Sequence, residues 1–126
     1  MIVGLGLDLI GVERIRGVHA RQGRRFLDRV YTADEQRYCL GFRDPAERLA
    51  ARWAAKEACM KALGTGWAQG VSFTDIAVTT DGSGAPGLLL TGGAGQRAES
   101  LGVVRQLLTL SHSDGIAAAV VVLESN

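Results

Sequence analysis

The chain is 126 residues long, 47% hydrophobic and 21% charged, with a formal net charge of +1. That length suits one domain, residues 1–126, with its own core, and the composition excludes a disordered or fibrous chain. No basic stretch precedes the N-terminal apolar run and no segment reaches membrane-spanning length, so a cytoplasmic protein that touches neither membrane nor nucleic acid is expected. Cys39 and Cys59 lie in helical patterns without metal-ligand spacing and read as reduced core thiols.

Ile2 to Ile10 alternates as a strand does, with Val3, Leu5, Leu7 and Leu9 on one face and Gly4, Gly6 and Asp8 on the other. The glycine face leaves room for something to approach beside Asp8. A carboxylate there suits either the N-cap of a following helix or a metal ligand. Gly4-Leu5-Gly6 followed by Gly11 lacks the spacing of a dinucleotide fingerprint, which excludes a Rossmann site. Next, Val12, Ile15 and Val18 mark one short helix and Phe26, Leu27 and Val30 another. Thr32-Ala33-Asp34-Glu35 is a capping box that opens a third. Arg14, Arg16, Arg21, Arg24, Arg25 and Arg29 crowd this region, with Asp28 the acid among them. Such a patch attracts an anionic surface. An acidic protein fits better than nucleic acid, because the whole chain is barely basic and has no aromatic-and-lysine face; an ordinary solvated face is the alternative.

The signals for a long helix are the strongest in the chain. Asp44 can cap, Pro45 suits the first helical position, Glu47 stands three residues after the cap, and Gly64 suits a left-handed stop. A helix is predicted over 45–63, about 19 residues by those signals. Leu49, Ala50, Trp53, Ala54, Ala58, Cys59, Ala62 and Leu63 would form its buried side. Arg48, Arg52 and Lys56 recur at four-residue steps and stack on one face, while Glu57 and Lys61 form a second row. Spacing alone leaves Glu57 and Lys61 either as an ordinary surface pair or as part of a site.

Val71 to Thr80 alternates as a strand, Asp81-Gly82-Ser83-Gly84 turns, and Pro86 precedes a second strand from Leu88 to Thr91. A helix is expected over 95–101 and strands over 103–112 and 115–123, the last richly apolar and central. This order gives an α+β fold: a small, mostly antiparallel sheet packed with one long helix and several short ones. His112 ends its strand, where its ring either finishes a core face or bonds Asp114. Ser111 and Ser113 flank it without a nucleophile elbow, which argues against a hydrolase triad.

Taken together, Gly4-Leu5-Gly6-Leu7-Asp8, the Thr32 to Glu35 box, Arg52-Trp53-Ala54-Ala55-Lys56-Glu57-Ala58, Lys61-Ala62-Leu63-Gly64-Thr65-Gly66, Asp81 to Pro86 and Leu110-Ser111-His112 resemble the holo-acyl-carrier-protein synthase family of short-chain 4′-phosphopantetheinyl transferases. The resemblance covers nearly the whole chain, in order. It implies a magnesium-dependent transfer of 4′-phosphopantetheine from coenzyme A to a serine of apo-acyl carrier protein, releasing adenosine 3′,5′-bisphosphate, in the service of fatty acid biosynthesis. It also implies a homotrimer with each active site at a subunit boundary. Under it, Asp8 and Glu57 become metal ligands, and with Lys61, beside the pyrophosphate, they form the catalytic set. Arg52 meets the coenzyme's 3′-phosphate, with Arg48 and Arg43 as further candidates. Gly64, Thr65, Gly66, Pro86 and His112 line the coenzyme pocket. Arg14, Arg21, Arg24 and Arg25 meet the acidic carrier protein. Asp114 receives no role, because Ser113 separates it from His112. The serine's proton would pass to Glu57 or to water at the cation. Two other readings are a coenzyme- or nucleotide-binding module without catalysis, and a transferase preferring carrier domains of polyketide or peptide synthases.

Overall fold

The computed structural model describes residues 1–66 and 70–126. In chain order these form β1 (Ile2–Gly11), α1 (Val12–Gln22), α2 (Arg24–Val30), α3 (Ala33–Leu40), α4 (Ala46–Leu63), β2 (Ile76–Thr80), β3 (Pro86–Leu90), α5 (Gly92–Ser100), β4 (Val103–Ser113) and β5 (Ile116–Ser125). The strands make two antiparallel sheets: a three-stranded one in the order β1-β5-β4, and the β2–β3 hairpin. The fold is α+β, with α4 laid across the inner face of the larger sheet. β5 is central, as its apolar sequence predicts.

The seam between α4 and β1 explains the glycine face. A Cβ on Gly6 would stand 1.8 Å from the Ala58 carbonyl oxygen, and one on Gly4 would stand 2.3 Å from that of Ala62. Glycine on the strand and alanine on the helix let two backbones touch. The room expected beside Asp8 is therefore filled, up to Gly6, by α4 itself. On β5, Ala117, Ala119, Val121 and Leu123 are buried beneath the same helix. The opposite face of the sheet is uncovered, and Leu5, Leu7, Leu9 and Leu107 are all more than 40% exposed. Register sets Leu5 and Leu107 on either side of Val122, giving an apolar row across all three strands.

Several local signals appear as read. Thr32 Oγ1 accepts the Glu35 N–H at 3.2 Å while Glu35 Oε1 accepts the Thr32 N–H at 2.7 Å, closing the capping box. Gly64 stops α4 in the left-handed region (φ 75°, ψ 19°). Three readings need correction. The box expected at the start of α4 does not close: Asp44 Oδ1 accepts the Ala46 N–H at 3.2 Å and also pairs with Arg16, while Glu47 turns to His112. The strand expected from Val71 begins only at Ile76, because Phe73–Asp75 curls into a 3₁₀ turn in which Asp75 accepts the Ser72 N–H. Asp75 also accepts the Gly93 N–H at 3.2 Å, so α5 starts three residues earlier than its own composition suggests.

Candidate active site

Helix α4 carries two separate groups of functional side chains. The first lies along its N-terminal half. Arg48 and Arg52 sit over the rings of Phe42 (3.8 Å) and Tyr38 (4.5 Å), and Lys56 lies 5.8 Å from Tyr31, so the cation row faces an aromatic row from α3 and its flanks. Such stacking holds a guanidinium in place while leaving its N–H fork available. Arg52 is only 6% exposed and bonds Thr80 Oγ1 at 3.4 Å; among the described residues no carboxylate pairs with it. It lines a cleft of about 280 Å³ whose walls include Tyr38, Arg48, Thr80, Pro86 and His112. At the mouth His112 Nδ1 meets Glu47 Oε2 at 2.9 Å, and this contact replaces the bond to Asp114 considered from sequence. Asp114 instead sits at φ 52° before Gly115 at φ 75°, the two central residues of a tight turn joining β4 to β5.

Lys56, the third cation of the row, is fully buried. Its ammonium donates to Glu35 Oε1 at 2.8 Å, to the Phe73 carbonyl at 3.1 Å and to the Ile76 carbonyl at 2.5 Å. Burial pulls its pKa below the usual lysine value, and the Glu35 carboxylate pulls it back. The even four-residue spacing therefore hides one core residue among cleft-lining arginines.

The second group flanks the seam. Lys61 Nζ donates to Asp8 Oδ1 at 3.1 Å and to the Leu7 carbonyl at 2.9 Å. The Asp8 side chain is 15% exposed and that of Lys61 54%. Glu57, half-buried, stands one turn before Lys61 and beside Ala58, whose carbonyl touches Gly6 two residues ahead of Asp8. Asp8 does not cap α1, whose N-cap is Gly11. Gly64, Thr65 and Gly66 follow the end of α4, with Arg97 Nε bonding the Leu63 carbonyl at 2.9 Å. They do not line the cleft that holds Arg52, Pro86 and His112. Nine residues separate Arg52 from Lys61, which is about 14 Å along the helix and half a turn around it. Within one chain the two groups thus face opposite ways. Arg14, Arg21, Arg24 and Arg25 are exposed on α1 and α2, Arg24 at 3.6 Å from Asp28, and Arg16 is drawn into pairs with Glu13 and Asp44. Sequence reasoning passed over Tyr38, Thr80 and the role of Glu47. Only the aromatic spacing Tyr38–Phe42, matching Arg48–Arg52, hinted at the first of these.

A small antiparallel sheet thus lies under one long helix, with a strand aspartate beside a helix lysine on one side and a cleft lined by arginines on the other. Residues 4–121 match the model of the 4′-phosphopantetheinyl transferase superfamily. The holo-[acyl-carrier-protein] synthase of Anaeromyxobacter sp. (strain K) is 50% identical over 127 residues, covering 98% of this chain and 97% of the relative. The crystal structure of the Neisseria meningitidis synthase superposes with a TM-score of 0.90 at 34% identity, covering 99% of this chain and all of that one. The Bacillus anthracis synthase, solved in complex with CoA (3′,5′-ADP), gives 0.83 at 38% identity, covering all of this chain and 99% of that one. The chain belongs to the 4′-phosphopantetheinyl transferase superfamily, among the transferases named holo-[acyl-carrier-protein] synthase.

Proposed function

We propose that this protein transfers 4′-phosphopantetheine from coenzyme A to a serine of apo-acyl carrier protein, with adenosine 3′,5′-bisphosphate as the leaving product. The observation that carries the reading is Arg52. A guanidinium that is 6% exposed, braced on Tyr38 and unpaired with any described carboxylate, calls for an anionic ligand in its cleft. A terminal phosphate supplies that anion, and Pro86 and His112 line the space beside it.

Asp8 and Glu57 are our candidates for a divalent cation. Two carboxylates of hard oxygen donors, one from β1 and one from α4, fit magnesium, which keeps several positions for water and phosphate. When bound, the cation would neutralise charge on the diphosphate. Lys61, half-exposed on a flexible stem, can leave Asp8 to add its charge where the leaving group gathers electrons. The attacking serine comes from the partner, and Glu57 is our candidate for the carboxylate that takes its proton. Gly64 to Gly66 would receive the diphosphate end of the coenzyme. Because Arg52 and Lys61 face opposite sides of α4, one coenzyme touching both kinds of group needs two copies of the chain. The uncovered leucine face of the sheet supports such self-association, in a homotrimer. Arg14, Arg21, Arg24 and Arg25 would steer an acidic carrier. The chain would work as one domain in the cytoplasm; no helix among its described residues is long and apolar enough to cross a membrane.

The test is a mass measurement. Incubated with coenzyme A, magnesium and apo-acyl carrier protein, the purified enzyme should raise the carrier's mass by one phosphopantetheine, and chelation should stop it. An unchanged carrier mass beside intact coenzyme A would overturn the proposal.

A further inference from the structure

The β2–β3 hairpin supplies Thr80, Gly84 and Pro86 to the cleft, yet it is not bonded to the three-stranded sheet. What holds it is unusual. On the edge of β2 away from β3, the Ile76 carbonyl accepts from Lys56 Nζ at 2.5 Å and the Val78 N–H donates to Glu35 Oε2 at 2.8 Å. A neighbouring strand would supply one donor and one acceptor at these two places. Here an ammonium and a carboxylate do so. The pair is itself complete: Lys56 spends its three protons on Glu35, Phe73 and Ile76, and Glu35 Oε1 also takes the Thr32 N–H. Neither side chain is more than 1% exposed.

We propose that the Lys56–Glu35 pair is a positioning unit for the cleft, a substitute strand that fixes the hairpin against α3 and α4 and so sets the distance between the Pro86 wall and Arg52. Neither residue lines the cleft, and neither is assigned a contact with the transferred group. An ordinary apolar pair would fill the same volume without fixing the hairpin's register or height, because dispersion has no direction. The pair thus acts on how well the cleft fits its ligand, not on the transfer step.

The inference rests on coenzyme A occupying the cleft, so the wild-type transfer assay comes first; its failure would count against the function and not against the pair. With an active wild type, steady-state kinetics on Glu35→Gln, which keeps the shape, should show KM for coenzyme A raised about fivefold or more with kcat changed by less than about threefold. Lys56→Met should lower both stability and coenzyme affinity. Adding Glu35→Gln to Lys56→Met removes the unpaired buried charge and should recover thermal stability, while KM stays raised. A KM that returns to the wild-type value in step with the melting temperature would overturn the proposal. Hydrogen exchange on the wild-type enzyme decides the matter even if every variant unfolds. The Val78 amide should exchange as slowly as the amides of central α4, and exchange at the rate of an open strand edge would overturn it.

Discussion

Replacing Gly6 by alanine tests the seam on which the catalytic geometry depends. The new methyl would lie 1.8 Å from the Ala58 carbonyl oxygen, 2.7 Å from its carbon and 3.0 Å from the Ala62 nitrogen. A carbon and a carbonyl oxygen ordinarily approach no closer than about 3.3 Å, so helix and strand must part by about 1.5 Å. Neither partner is a side chain that can swing aside. The strain is spatial, since Gly6 has no positive φ. Overpacking of this kind costs about 1–3 kcal/mol where side chains can adjust, and we expect about 3 kcal/mol or more here. For a chain of this size that is a fall of roughly 10–15 °C in melting temperature. Parting the seam also moves Asp8 away from Lys61 and Glu57, and a displacement of about 1 Å at a reacting centre can cost on the order of a hundredfold in rate. Far-UV circular dichroism through urea and thermal unfolding gives the stability, and carrier mass against time gives the rate. Gly82→Ala is the control: nothing lies within 4 Å of its added methyl, and a change within about 0.5 kcal/mol is expected. A Gly6→Ala protein as stable and as fast as wild type would refute the backbone-contact argument.

Asp8→Asn and Glu57→Gln should each abolish carrier modification while leaving the unfolding curve close to wild type; turnover surviving both changes would remove the metal assignment. Arg24→Glu with Arg25→Glu should raise KM for the carrier and flatten its salt dependence with little effect on KM for coenzyme A, measured between low and high salt. Burial pushes the Cys39 thiol up to about 11 and the Cys59 thiol to about 12. Both should therefore resist Ellman's reagent at neutral pH and react together once urea unfolds the chain. Arg16 and the Ala46 N–H hold the Asp44 carboxyl below its ordinary value. The stability this contributes is present above the ordinary value and fades as pH falls through and below it. The gap in urea midpoint between wild type and Asp44→Asn should accordingly narrow as pH drops from 7 toward 2.5, and a constant gap would contradict the pairing.

What could be read in the sequence was what neighbouring residues decide. Thr32 and Glu35 close their box through their own backbone, and Gly64 alone permits the left-handed stop, so both were visible at a glance. Glycine alternating with apolar residues marked β1, but not that an alanine-rich helix would fill the glycine side. Lys56 shows the limit most clearly. Its four-residue spacing from Arg52 is the pattern of a charged face, and only the arrival of Glu35, twenty-one positions away, makes it a core residue. Glu47 failed for the same reason in reverse. A good local partner existed in the Asp44 backbone, yet Arg16 claimed Asp44 and His112 offered Glu47 a better one. In the candidate site, the resemblance named Asp8, Arg52, Glu57 and Lys61 in order along the chain. Their separation onto two sides of α4 was not legible, because it depends on helix phase combined with what β1 and the hairpin bring to each side.

The pairing of β1 with β5 joins the two ends of the described chain, with Leu5 opposite Val122. Closing that pair spans nearly the whole described chain, so β1 joins the sheet later than the β4–β5 hairpin, whose strands the turn at Asp114 and Gly115 holds close together.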